Sequence, residues 1–211
     1  MRKQFLNSKL AKFSSVLTAT LLALGGASAF AGTASAATTT TSQTSATLTP
    51  GELSLDVVPQ IDFGGTNRIS TTQASYSSTS VGDLAVSNPG NLGGWSVTVV
   101  GTPFTNGTSA LKTATLSLAN TSSEKYTSTT GATSAYFPTP ADATITGTAA
   151  LVESAPAATV TNPVGVGQFS EAFGDADATL SIPPTTVLPG TYASTLTWTL
   201  ASTPSTPSTT A

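Results

Sequence analysis

Tyr192-Ala193-Ser194-Thr195-Leu196-Thr197-Trp198-Thr199-Leu200 decides the fold class. Leu196, Trp198 and Leu200 recur at every second position, and Thr195, Thr197 and Thr199 fill the gaps between them. A period of two puts the apolar set on one face of a strand and the threonines on the other. Threonine suits the outer face because a β-branched side chain fits a pleated surface.

The same alternation appears upstream. Trp95, Val97 and Val99 alternate with Ser96 and Thr98, and Leu53, Leu55 and Val57 with Ser54 and Asp56. Residues 113–118 carry Ala114, Leu116 and Leu118 on one side, residues 143–148 repeat the pattern, and Leu180 and Ile182 share a face. Turn chemistry separates these runs: Gly64-Gly65, Asn88-Pro89-Gly90-Asn91, Gly93-Gly94, Asn106-Gly107 and Pro189-Gly190. Asn106-Gly107 suits a type I′ hairpin turn. Only residues 170–178 read as a short helical turn. Tyr76, Phe104, Tyr126, Tyr136, Phe137, Phe169 and Phe173 fall in stretches without alternation and are expected in loops. The fold class that follows is all-β: a single β-sandwich or partly closed barrel of short antiparallel strands.

Composition excludes several chemistries. The 211 residues include no cysteine and no histidine, so disulfides, thiolate or imidazole metal ligands and His-based catalytic triads are ruled out. Thr and Ser make up about a third of the chain. Arg2, Lys3, Lys9 and Lys12 open it, an apolar run follows, and Ala34-Ser35-Ala36 offers a small-x-small cleavage point. Residues 1–36 therefore read as a secretory signal peptide, with no membrane span left after cleavage. Residues 37–49 read as a Thr/Ser-rich linker, 50–204 as the folded domain and 205–211 as a Ser/Thr/Pro tail. After cleavage three basic residues, Arg68, Lys112 and Lys125, stand against ten acidic ones, a formal charge of −7. Nucleic acid is not expected as a partner, because phosphate binding needs clustered cations.

Tyr192, Leu196, Thr197, Trp198, Leu200 and Pro204 spell Y-x-x-x-L-T-W-x-L-x-x-x-P. This resembles the distal motif of the WxL-domain cell-surface proteins of Gram-positive bacteria. Gly94-Trp95-Ser96-Val97-Thr98-Val99 resembles the proximal motif, with Val97 where leucine is usual. Leu53 to Pro59, Ile61-Asp62-Phe63-Gly64 and Ile69-Ser70 resemble the opening of such a domain. The resemblance implies a secreted protein held noncovalently at the cell wall through peptidoglycan, with other cell-surface proteins as further partners. A structural or assembly subunit that binds protein partners instead of glycan is the alternative.

Trp95, Val97, Tyr192, Leu196, Trp198 and Leu200 are the motif or peptidoglycan-binding candidates. Alternation favours a core position for both tryptophans over contact with sugar. Glu171, Asp175 and Asp177 form the densest acidic group. Its spacing does not match a calcium loop, so a solvated loop is expected and no metal or other cofactor. Lys112 or Lys125 could join an Asn or Asp in an isopeptide bond only beside a buried acid, which sequence does not locate. No hydrolase motif is present, and the chain is expected not to be an enzyme.

Overall fold

The computed structural model describes residues 38–111, 113–120, 125–184 and 187–203. The readings of residues 1–36 and 205–211, and Lys112, lie outside them. The chain divides into Met1–Ser45 and Ala46–Ala211. Of the first unit, residues 38–45 are described; they are exposed and have no regular secondary structure.

The second unit is all-β. Its strands, in chain order, are β1 (Ser54–Val57), β2 (Ile61–Asp62), β3 (Ser75–Ser77), β4 (Ser80–Val81), β5 (Leu84–Asn88), β6 (Gly94–Gly101) and β7 (Thr115–Leu118). Then come β8 (Tyr126–Ser128), β9 (Thr139–Pro140), β10 (Ala143–Ile145), β11 (Ala150–Ala155), β12 (Gly167–Glu171), β13 (Ala178–Ser181) and β14 (Leu196–Thr203). They form three four-stranded sheets, ordered β1-β5-β12-β8, β10-β7-β13-β3 and β14-β6-β11-β9, and a β2-β4 pair. All pairings are antiparallel. The sheets do not close into a barrel, and the arrangement is sandwich-like.

One core joins the three large sheets. Leu84, Val86 and Phe169 come from the first, Leu116, Leu118 and Ile145 from the second, and Trp95, Val97, Val99 and Val152 from the third. Burial of side chains this size contributes roughly 1.5–3 kcal/mol each before the entropic cost of ordering them.

Three expectations are corrected. Residues 170–178 form no helical turn: Ser170 and Glu171 close β12, and residues 172–177 are a loop into β13. Phe169 alternates inward in β12, which overrides the local composition. Tyr76, Tyr126 and Phe169 stand on strands, not loops, and Phe137 packs between Tyr126 and Phe169 with ring centroids 5.9 Å from each. Asn106-Gly107 is not a type I′ turn, which needs positive φ at both residues. Only Gly107 has it, at φ 89°. Instead Asn106 Oδ1 accepts hydrogen bonds from the backbone N–H groups of Thr108 (3.1 Å) and Ser109 (2.8 Å), so its side chain closes the turn.

Candidate functional site

The two motif strands are neighbours. In the β6–β14 register Trp198 lies opposite Val99, Leu200 opposite Val97 and Ser202 opposite Trp95. Residues directly opposite share a sheet face. Trp95, Val97, Leu196, Trp198 and Leu200 therefore form one apolar patch on the core side. Alternation had placed each on an inward face, and the register merges the two stripes.

The patch is graded by position. β6 is an inner strand, so Trp95 is 2% exposed and Val97 fully buried. β14 is an edge strand, so Leu196, Trp198 and Leu200 are half-buried and pack against the core from its margin. Trp95 Nε1–H donates to the Gly165 carbonyl (2.9 Å), which also accepts from Asn88 Nδ2 (2.7 Å). Gly165 has φ 68°, and a Cβ there would lie 2.2 Å from the Ala155 Cβ and 2.9 Å from Trp95 Nε1. Only glycine allows the carbonyl to approach the indole in this way. Trp95 and Val97 thus hold the domain together and offer no surface to a ligand. The two tryptophans should be separable by fluorescence. A Trp198→Phe variant is expected to emit at shorter wavelength and resist acrylamide quenching, and a Trp95→Phe variant to emit further red and quench readily. The reverse order would contradict these burials.

Tyr192, the first motif residue, opens a different region. It precedes β14 and lines a surface cleft of about 580 Å³. Leu111, Leu180 and Ile182 form the cleft's buried floor, and Phe63, Tyr76, Phe104 and Tyr192 pack partly exposed around it. Tyr76 Oη–H donates to the Arg68 carbonyl (3.0 Å), and Tyr192 Oη–H donates to the Leu188 carbonyl (3.1 Å). Each phenol thereby fixes a loop that forms the rim. Arg68 is exposed at that rim, beside Asn67 and Ile69. The volume falls in the range typical of small-ligand clefts. Sequence reading did not assemble this site, because its walls come from segments more than 100 residues apart. One available signal was Arg68 itself, one of three cations after residue 36.

A second polar cluster is buried in the core. Glu171 and Glu153 are 0% and 2% exposed. Tyr126 Oη–H donates to Glu153 Oε2 (2.8 Å), and Asn120 Nδ2 donates to Glu171 Oε2 (3.0 Å) and to the Val152 carbonyl (2.9 Å). Burial pushes the Glu153 carboxyl up to about 7. Burial, reinforced by the nearby Glu153 charge, pushes Glu171 up to about 8. The same burial raises the Tyr126 phenol, with both carboxylates adding to the effect. Glu171 Oε1 and Asn120 Oδ1 are buried without a hydrogen-bond partner among the described residues.

The expected acidic loop group does not assemble. Glu171 turns into the core, while Asp177 accepts from the Gly174 N–H (2.6 Å) and pairs with Lys125. Lys125 Nζ also stands 5.4 Å from the centroid of the Phe173 ring. Among the described residues no group of three or more acidic side chains is arranged to hold a metal ion.

The family model for the WxL domain, described as surface cell wall-binding, matches residues 34–204. No curated protein and no solved structure matches the chain.

Proposed function

We propose, from the premise that this chain belongs to the WxL domain surface cell wall-binding family, that it is exported and attaches noncovalently to peptidoglycan. The observation that carries this reading is the extent of the match: a cell wall-binding domain accounts for the whole described β-unit up to residue 203. The mechanism is binding, not catalysis. Attraction by net charge is unfavourable, because a chain of formal charge −7 after residue 36 would face a polyanionic wall. Recognition falls instead to shape, to hydroxyl and amide hydrogen bonds, and to aromatic faces that pack on sugar C–H surfaces.

Co-sedimentation with purified sacculi, before and after removal of teichoic acids, tests the reading. Saturable binding is expected in both states. It should survive about 1 M NaCl, where the Debye length is about 3 Å and diffuse attraction is screened. Elution of most of the protein by that salt would overturn the mechanism. Export is tested separately: sequencing the N-terminus of wall-associated protein should find Ala37 first.

β14 is an eight-residue edge strand, and an edge accepts strands from other proteins. This favours the assembly role as the second reading. It would be adopted if the pure protein failed to bind bare sacculi but joined them in the presence of another surface protein.

A further inference from the structure

We propose that the cleft around Tyr192 receives a muropeptide, an N-acetylated amino sugar bearing a short peptide with a free carboxylate, and that Arg68 reads the carboxylate. The inference rests on the wall-binding reading and narrows it to a place and a ligand chemistry.

Three observations converge. The cleft is walled by aromatic rings over an aliphatic floor, and rings of this kind pack against sugar C–H faces and small aliphatic side chains. Its phenols are occupied as donors to loop carbonyls, so the ring faces, not the hydroxyl protons, are what the walls offer.

The third observation is charge. Among the described residues the cations are Arg68 and Lys125, and Lys125 is paired with Asp177. Arg68 has no ion-pair partner among the described residues, lies exposed and sits on the cleft rim. Its backbone carbonyl accepts from Tyr76, which ties the segment carrying the guanidinium to the cleft wall. A guanidinium fork matches a carboxylate bidentately, which a neutral sugar does not. In a domain this acidic, one positioned cation selects for an anionic group within the ligand without making the whole interaction salt-driven.

The test is titration calorimetry of the exported protein with three probes: muramyl dipeptide, a chitin oligosaccharide and D-alanyl-D-alanine. The first carries sugar and carboxylate, the second sugar alone, and the third a carboxylate without sugar, with an ammonium at its other end. Muramyl dipeptide is expected to bind tightest. Arg68→Gln should weaken it about tenfold or more, the size of one lost charge-assisted contact. Arg68→Lys should fall between the two, and the chitin oligosaccharide should be indifferent to both changes. Arg68 is exposed and unpaired among the described residues, so both variants should melt as the parent does.

Equal binding of muramyl dipeptide by parent and Arg68→Gln would overturn the proposal, as would a chitin oligosaccharide that binds as tightly. Sacculus co-sedimentation run in parallel keeps the two readings apart. Parent protein that binds sacculi but shows no Arg68 effect loses only the cleft assignment. Parent protein that fails to bind sacculi loses the wall-binding reading itself.

Discussion

Trp95→Ala is expected to unfold the domain, not to trim a contact with the wall. The indole is 2% exposed and sits on an inner strand among Val97, Val99 and Ala155. Truncating a buried aromatic to alanine costs about 3–5 kcal/mol, through lost burial plus the cavity left behind. The change also orphans part of the Gly165 carbonyl's hydrogen bonding, although Asn88 still donates to it. Against a total stability of about 5–15 kcal/mol, that loss is large. Trp198→Ala is expected to cost less, because the second indole is half-buried on an edge strand and water already reaches it. Urea denaturation of both variants beside the parent checks this. A Trp95→Ala protein with a near-parental melt that still lost wall binding would show a ligand contact, and the core assignment would be wrong. A binding defect without a stability measurement decides nothing.

The second large effect is a loss of stability as pH rises. Glu153 and Glu171 hold their protons more tightly in the folded chain than near 4.5, the ordinary glutamate value. Folding therefore takes up protons between that value and the folded ones, so stability falls with pH across that window. Their contribution is complete below about pH 4.5 and is lost as pH climbs through about 7 and about 8. A tenfold difference in proton affinity is about 1.4 kcal/mol, so each carboxyl, shifted by more than two such steps, contributes on the order of several kcal/mol.

Burial sets the direction, and the donors facing these carboxyls only moderate it. Tyr126 and Asn120 donate to them, and the positive charge of Lys125 eases the ionisation of Glu171 only in part. Protonation also gives Glu171 a donor, in a site where its own Oε1 and Asn120 Oδ1 lack partners among the described residues. Asp56 acts in the opposite sense at the acid end. Hydrogen bonds from Ser54 and Ser87 hold its carboxyl below the usual value, so its contribution disappears as pH falls below about 3.8. Thermal melts from pH 5 to 9 are expected to show the midpoint dropping with pH. Glu171→Gln, which keeps an amide opposite Asn120, should match the parent at pH 5 and exceed it at pH 8. A parental midpoint flat over this range, or a Glu171→Gln slope equal to the parent's, would sink the argument.

The burial of these two glutamates was not legible in sequence periodicity, for identifiable reasons. In β11 the register against β6 shifts between Leu151 and Glu153. The extra residue of a bulge re-aims the chain, so Val152 and Glu153 both face the core while Leu151 is exposed. A strict two-residue alternation puts Leu151 and Glu153 on one face and Val152 on the other, so it cannot bury Val152 and Glu153 together. Glu171 follows Phe169 on the inward face of β12, but a carboxylate two residues past an aromatic reads locally as the start of a polar loop. Its burial is tolerable because Asn120 and Tyr126, distant in sequence, meet it in space.

The motif strands were legible because alternation is a local property. Leu196, Trp198 and Leu200 face inward for the same reason that Thr195, Thr197 and Thr199 face out: successive side chains on a strand point to opposite sides. Composition was equally local, and it removed cysteine and histidine chemistry at the outset. By itself, then, the sequence determined an all-β chain, the inward faces of its two tryptophan strands, its acidic balance and its family. Which strand lies inside and which at an edge is a matter of sheet order, and sheet order depends on pairings between distant segments. Only the tertiary structure therefore decided that Trp95 is sealed while Trp198 is half open. It also decided that Tyr192 meets Tyr76 and Arg68 at one cleft, and that two carboxyls share the core, because each depends on residues brought together by folding and not by spacing along the chain.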